Sequence, residues 1–384
     1  MMLLRRLDPG EYDVSLFVLT GQGEMVSELP SHVRLLNADY VAAPVLDRAG
    51  KRKLAKRVLR SLLARGTGIR LLPYIFHNLG DMLRRGRVDI DKLLWRALSD
   101  GAPRWDVEYD LAVAYLEGGS TYYVADHVKA KKKAAFIHVD YTMAGYTRKL
   151  DLDCYSKLDR IYAPAESTLE SFRRVYPEHD CKLEVFRNMR DDSEILRMSR
   201  LFGGFTDDYG GVRILTVGRL TAQKAFDISI RAMKLLKDAG ADCRWYVLGE
   251  GEQRRFLERQ IRDLGLEDDF ILCGAVDNPY PYFAQANLYV HASRFEGESV
   301  ALREAQVLGC PILASDCPGN REAVSDGVDG RLCPLTPEGI RDGILWLMDH
   351  PAERVRYAES ASRKPQGRAD DMDMLLSLLR ESGG

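Results

Sequence analysis

Residues 288–334 constrain the chain most. They read as a strand (LYVHAS, 288–293), a polar loop (RFEGES), a helix (VALREAQVLG), a strand (PILASD, 311–316), a loop with Gly319, a short helix (REAVSDG) and a strand (GRLCP, 330–334). Ser299 is a capping residue by type, and Gly309 and Gly327 are stop signals. Strand, loop and helix repeated in this way call for a parallel α/β sheet, whose ligands sit where strands end and helices begin. Two acids fall at such places, Glu296 in the loop and Glu304 within the helix. The first N–H groups of that helix, on Ser299, Val300 and Ala301, lack intrahelical partners and favour a phosphate. A carboxylate further along can accept two vicinal ribose hydroxyls, and one in the loop can reach a sugar. Spacing alone leaves a plainer reading open, two solvated acids on a surface helix.

Upstream, VGRLTAQKAFD (217–227) leaves a strand end with Arg219 and Lys224 flanking a turn before a helix. Two cations converging there suit a diphosphate leaving group. Gly249-Glu250-Gly251 follows another strand and reads as a structural turn.

These stretches together resemble a known family. E-G-x-S-V-A-L-x-E-A, followed by G-C-P-I-L-A-S-D-C-x-G-N-x-E-x-V-x-D-G-x-x-G, resembles the E-x7-E block of retaining, GT-B-fold glycosyltransferases of family 4, of the bacterial surface-polysaccharide type. Residues 217–227 look like that family's V-G-R-L-x-x-x-K-G-F-D element, and 248–293 look like the segment that joins the two. Ala225 departs from the family's usual Gly, and Glu298 stands where an aromatic residue or Lys is common. The resemblance implies an α/β GT-B fold, two Rossmann-like domains facing across a cleft. It implies an EC 2.4 hexosyltransferase that takes a nucleotide-diphosphate sugar as donor and needs no cofactor and no metal. Arg219 and Lys224 would bind the donor phosphates in place of a divalent ion, with amides at Ser299 and Val300. Glu304 would hold the ribose and Glu296 the donor sugar at the catalytic centre. His138, at the end of the expected strand AAFIHVDY (134–141), matches a His that contacts the donor sugar in the family. Glu117 and Asp140, also near strand ends, are candidates for the acceptor side. Asp151-x-Asp153 looks like the D-x-D of metal-dependent transferases but lies in no strand-end context, and is discounted.

The remaining sequence alternates β and α. Strands are expected at 12–19, 32–37, 109–118, 134–141, 160–165 and 182–188, with a helix at 121–133 that carries Lys129, Lys131, Lys132 and Lys133. Residues 187–211 lose strand periodicity and read as the linker. The expected domains are therefore 1–190, the acceptor domain, and 191–365, the nucleotide-sugar domain. A terminal helix in 366–384 would pack back on the first. A Rossmann-like domain should open with a strand and a Gly-rich turn; here a helix end and the turn Asp8–Pro9–Gly10 come first. Either the start lies further upstream or part of the site is missing, so a truncated or non-catalytic GT-B partner protein is the rival reading. A nucleotide-sugar epimerase is a weaker one, because epimerases lack the R-x4-K plus E-x7-E pair.

Charge adds a partner. Residues 51–100 hold 13 Lys+Arg against 4 Asp+Glu. Within them 51–66 has seven cations and no acid, with Leu54, Val58, Leu59, Leu62 and Leu63 on one helical face. An anionic membrane surface fits this pattern; an apolar face packed on the core with a solvated basic face fits it too. No nucleic-acid partner is expected. Seven Cys without a C-x-x-C pair suit reduced thiols, and there is no signal peptide or apolar run near 20 residues. A cytoplasmic protein, peripheral on the inner face of the plasma membrane, is the expectation. A lipid-linked or cell-surface glycan is the expected acceptor.

Overall fold

The computed structural model describes residues 1–43, 48–86, 88, 90–187, 191–364 and 370–381. The chain divides into two compact units, Met1–Met189 with Gly367–Gly384, and Arg190–Gln366. The boundary expected at 190 falls at residues 188–190, outside the described residues. Residues 191–211 are less irregular than the lost periodicity implied, since Asp192–Ser199 is a helix whose N-cap Asp191 accepts the N–H of Glu194.

The second unit is one six-stranded sheet, all parallel. Its strands are β7 (Val212–Val217), β8 (Cys243–Leu248), β9 (Phe270–Gly274), β10 (Leu288–His291), β11 (Ile312–Ser315) and β12 (Arg331–Cys333), in the order β12-β11-β10-β7-β8-β9. From β7 the chain builds outward through β8 and β9, then crosses back so that β10 lies on the other side of β7. The strand order therefore reverses between β7 and β10, which is the ligand-binding switch point of a doubly wound sheet. Strands β10 and β11 near this point are covered on both faces: every residue of both is buried, as parallel strands covered by helices require. Trp245 on β8 is fully buried and donates its Nε1–H to Thr216 Oγ1 at 2.9 Å.

The first unit carries a parallel pair, β1 (Val14–Leu16) with β2 (Val33–Leu35), and a parallel four-stranded sheet of β3 (Glu108–Ala114), β4 (Lys129–Phe136), β5 (Arg160–Ala163) and β6 (Leu183–Val185). Helices Arg48–Leu63, Thr67–Arg84 and Ile90–Gly101 form the insertion between the two sheets. The C-terminal helix Asp370–Arg380 belongs to this unit. Leu375 and Leu378 pack with Ala134, Phe136, Tyr162 and Phe186, and Asp371 accepts the Arg187 N–H at 3.0 Å. Each such buried Leu contributes roughly 1.5–3 kcal/mol.

One expected element is corrected. The helix placed at 121–133 ends at His127, and the lysine run is the start of β4. The acids that decide this are non-local. Lys129 pairs with Asp106 and Lys131 with Asp110, while Lys132 pairs with Asp159 and Glu381. Opposite charges along β3 and its flank favour a strand.

Candidate active site

The site is built at the C-terminal ends of β7 and β10. Adjacent pairing of Leu288 with Ile214 and Tyr289 with Leu215 puts the two strand ends side by side. The turn after β7 carries Arg219 and Lys224; the loop after β10 carries Glu296. Turn and loop are tied together. Arg294 N–H donates to the Gln223 carbonyl at 2.8 Å, Gln223 Nε2 to the Phe295 carbonyl at 2.9 Å, and the Arg294 guanidinium to Asp227 Oδ2 at 2.8 Å.

Lys224 Nζ donates to Glu296 Oε1 at 2.6 Å. The same oxygen accepts from Ser293 Oγ at 2.5 Å and from His291 Nε2 at 3.2 Å. The Glu296 carboxylate is an acceptor only, so its contact with Nε2 calls for a proton there, and the Tyr289 hydroxyl lies 3.0 Å from the other ring nitrogen, Nδ1. Burial holds the His291 pKa below the usual imidazole value, and Lys224 adds to this. Burial alone would raise the Glu296 pKa, but His291 and Lys224 outweigh it and hold the carboxyl down to about 2. With Oε1 accepting three hydrogen bonds, Oε2 has, among the described residues, a 3.5 Å contact from Gln223 Nε2. That oxygen can take a ligand hydroxyl.

The Val300–Val307 helix starts beside this carboxylate. Ser299 is its N-cap and accepts the Leu302 N–H. Glu304, one turn further, accepts from the Tyr280 hydroxyl at 3.0 Å. Glu298, an unusual residue in the resemblance, is buried near Arg303 at 3.8 Å. Gly319 lies in the helix Pro318–Ala323, not in the expected loop, and lets that helix press close, since a Cβ there would fall 2.3 Å from the Gly297 carbonyl. Asn320, in the same helix, donates its Nδ2–H to the Ser315 carbonyl at 2.9 Å. Gly249 and Gly251 have a related use: a Cβ on either would strike the carbonyl of Gly218 or Leu220. Ala225, where the resembling family has Gly, adopts φ +48° and is fully buried. An L-residue in that conformation costs roughly 1–2 kcal/mol.

The structure thus places Arg219, Lys224, Glu296, Ser299, Val300 and Glu304 on the segments that follow the C-terminal ends of β7 and β10, with Arg219 exposed. His291, Ser293, Gln223, Arg294 and Tyr280 were missed by sequence reasoning. His291 and Ser293 stood two apart in a stretch read only as a strand. That spacing puts both side chains on one face, which was the available signal.

His138, Glu117 and Asp140 lie in the first unit. His138 falls two residues beyond β4, its backbone N–H donating to Glu117 Oε2 at 2.9 Å and its Nε2 lying 3.2 Å from the Tyr115 carbonyl. Asp140 Oδ1 caps a turn, accepting from Thr142 N–H, Thr142 Oγ1 and Met143 N–H. Asp151 is fully buried and accepts from the hydroxyls of Tyr122, Tyr141 and Tyr176 at 2.7–2.8 Å. Among the described residues, no three His, Cys, Asp or Glu side chains come together as a metal-binding group.

Fold and site together define a GT-B architecture. Residues 208–364 match the family model described as glycosyl transferases group 1. The chain is 30% identical over 177 residues to the alpha-D-kanosaminyltransferase of Streptomyces kanamyceticus, covering 44% of this chain and 46% of that protein. It is 29% identical over 212 residues to a Campylobacter jejuni N-acetylgalactosaminyltransferase whose name gives a diphospho-undecaprenol-linked acceptor, covering 55% and 56%. The chain spans about half the length of these curated relatives. Among solved structures, a glycosyltransferase from Rickettsia africae aligns over 99% of this chain and 93% of its own, with a TM-score of 0.63 at 11% identity. Anabaena HepE in complex with UDP-glucose aligns over 66% and 71%, with a TM-score of 0.52 at 18% identity.

Proposed function

We propose that the chain is a retaining glycosyltransferase of the family 4 type, moving a sugar from a nucleoside-diphosphate sugar to a lipid-linked or cell-surface glycan. The Lys224–Glu296 pair at the strand-order reversal, beside a capped helix start, is the observation that carries this reading. Arg219 and Lys224 meet the donor diphosphate, the helix-start amides at Ser299 and Val300 add donors, Glu304 accepts from the ribose, and Glu296 turns Oε2 to the donor sugar. The bond from anomeric carbon to diphosphate oxygen breaks while the acceptor hydroxyl attacks on the same face. The acceptor's proton passes to the departing diphosphate oxygen. Arg219 and Lys224 offset the charge that develops there. The named acceptor of the Campylobacter relative supports a lipid-linked acceptor here.

The test is transfer from a nucleotide-sugar panel to lipid-linked glycans, with the product anomer read by NMR. Retention at full rate in EDTA is expected, because two cations serve in place of a metal. Loss of turnover on chelation, restored by magnesium or manganese, would contradict the role of the cations. An inverted product would contradict retention. No transfer from any donor would favour the rival reading of a non-catalytic partner.

A place at the cytoplasmic face of the membrane belongs to the same reading. Among the described residues no helix is long and apolar enough to cross a membrane. The Thr67–Arg84 helix buries Leu71, Tyr74, Asn78 and Met82, yet exposes Ile69 (77%), Phe76 (69%) and Leu83 (63%) on its other side. Exposed Arg70, Arg84 and Arg85 flank that stripe, matching an anionic bilayer. Inserting one Phe is worth roughly 1.5–3 kcal/mol, so Phe76→Glu should weaken binding to anionic vesicles about tenfold or more. Absence of vesicle binding by the unaltered chain at low salt would remove the membrane from the account.

A further inference from the structure

The cations of the Arg48–Leu63 helix do not form a simple outer face. Lys53, Lys56, Arg57 and Arg60 line a cavity of about 760 Å³ in the first unit, closed on other sides by Gly21, Asn37 and Trp105. Helix rotation sets this: Val58 is buried with Leu19, Leu98 and Tyr123, whereas Leu59 and Leu63 are 58% and 75% exposed. Asp39 is the acid on the cavity wall, so four cations face one anion. Arg57 lies against the backbone of Gly21, where a Cβ would fall 1.5 Å from its Nη1. Burial disfavours the charged guanidinium of Arg57 and Arg60 adds to this, against the opposing pull of Asp39. Bringing an anion into the cavity relieves that repulsion. Gln22 on the same wall is 3% exposed; its Nε2 donates to the Gly50 carbonyl, and its Oε1 has no hydrogen-bond partner among the described residues.

A second cavity, of about 400 Å³, adjoins the first and shares Phe17, Thr20, Leu36 and Trp105 with it. Its remaining wall is mainly apolar, including Leu111, Val113, Trp95 and Val128. Phe17 and Trp105 meet edge to face at 5.0 Å between ring centroids, at the junction. A cationic chamber lying beside an apolar one, with four lining residues in common, suits a molecule with a phosphate at one end and hydrocarbon beside it. Phosphate recognition by clustered Lys and Arg and burial of chain carbons are separate contributions.

We propose that these two joined cavities form a binding site for a phosphorylated amphiphile, with the phosphate among Lys53, Lys56, Arg57 and Arg60 and the apolar chain beyond Phe17 and Trp105. This deepens the acceptor side of the transferase reading and rests on it for the site's purpose, though not for its ligand chemistry.

The experiment titrates the full chain with farnesyl diphosphate, farnesol and inorganic pyrophosphate, following tryptophan fluorescence, with UDP saturating the donor site. Farnesyl diphosphate should bind about tenfold or more tighter than either fragment. Lys53→Gln with Arg60→Gln, both at exposed positions, should weaken farnesyl diphosphate about tenfold and leave farnesol unchanged. Leu36→Ala should weaken farnesyl diphosphate and leave pyrophosphate unchanged. Placing the same lipid in phosphatidylcholine vesicles separates a bilayer source, where binding persists, from a soluble one, where it is lost; both support the site. Pyrophosphate as tight as farnesyl diphosphate would overturn the amphiphile and leave an anion pocket. Equal binding by the Gln pair and the unaltered chain would overturn the site altogether. UDP affinity in the same preparations reads the second unit, so loss of donor binding is distinguishable from loss of this site.

Discussion

Lys224→Ala is expected to lower transfer about 100-fold or more and to destabilise the second unit by about 3 kcal/mol. The substitution removes the cation from an oxygen of Glu296, a residue only 8% exposed. A hydrogen bond to a charged group contributes roughly 1.5–3 kcal/mol, and breaking a buried pair costs roughly 3–5 kcal/mol because the remaining charge is stranded. The sign of the pH effect follows from the depressed pKa. Glu296 titrates near 2 in the folded chain, against 4.5 ordinarily, so its contribution is present above pH 4.5 and is lost as pH falls towards 2. Without Lys224 the folded pKa rises and that contribution shrinks. Lys224→Ala combined with Glu296→Gln should recover most of the stability and none of the turnover, since no stranded charge remains but the diphosphate still lacks its cation. Turnover within a few-fold of normal in the single variant would exclude Lys224 from the donor site.

The other large effect is expected at Asp151, in the core of the first unit. Three tyrosine hydroxyls converge on its carboxylate. Asp151→Ala leaves all three without that acceptor, and at roughly 1.5–3 kcal/mol for a bond to a charged group the loss should reach about 4 kcal/mol even with one charge shared among them. The transition to follow in urea is that of the first unit; the second should unfold at its usual midpoint. Burial pushes the Asp151 pKa up to about 6, with the hydroxyls of Tyr176, Tyr141 and Tyr122 and the charge of Arg96 opposing any further rise. The folded state therefore holds the proton more tightly than the unfolded chain. This contribution is fully present below pH 3.8 and is lost as pH rises through about 6, a change of about 3 kcal/mol at 1.36 kcal/mol per pKa unit. Asp151→Asn cannot titrate, so the stability difference between it and the unaltered chain should slope across pH 4–6. A flat difference would mean that Asp151 is not a proton-binding group of the folded state.

These residues also mark what local sequence can and cannot convey. Glu296, Ser299 and Glu304 were legible because loop, cap and helix lie within nine residues, and their geometry is fixed by chain connectivity. Arg219 and Lys224 were legible as a turn after a strand. The meeting of Lys224 with Glu296 depends on β7 and β10 pairing across more than 70 residues, which no local pattern states. His291 and Ser293 stayed hidden in a stretch read as one strand, 288–293, whereas β10 ends at His291 and Ser293 follows it. Asp151 was set aside as a discounted D-x-D, and its tyrosines at 122, 141 and 176 are assembled only by the tertiary fold. The lysine run at 129–133 misled because its acids lie on a neighbouring strand and beyond it. The basic character of 51–66 was plain, while the cavity that four of its cations line is made by Gly21, Asn37 and Trp105.

Calorimetric titration of the full chain with nucleoside diphosphates and their sugars tests the central claim most directly. The account predicts one-to-one binding of at least one nucleotide sugar, weakened in Lys224→Ala. A folded second unit that binds no member of the panel would contradict it.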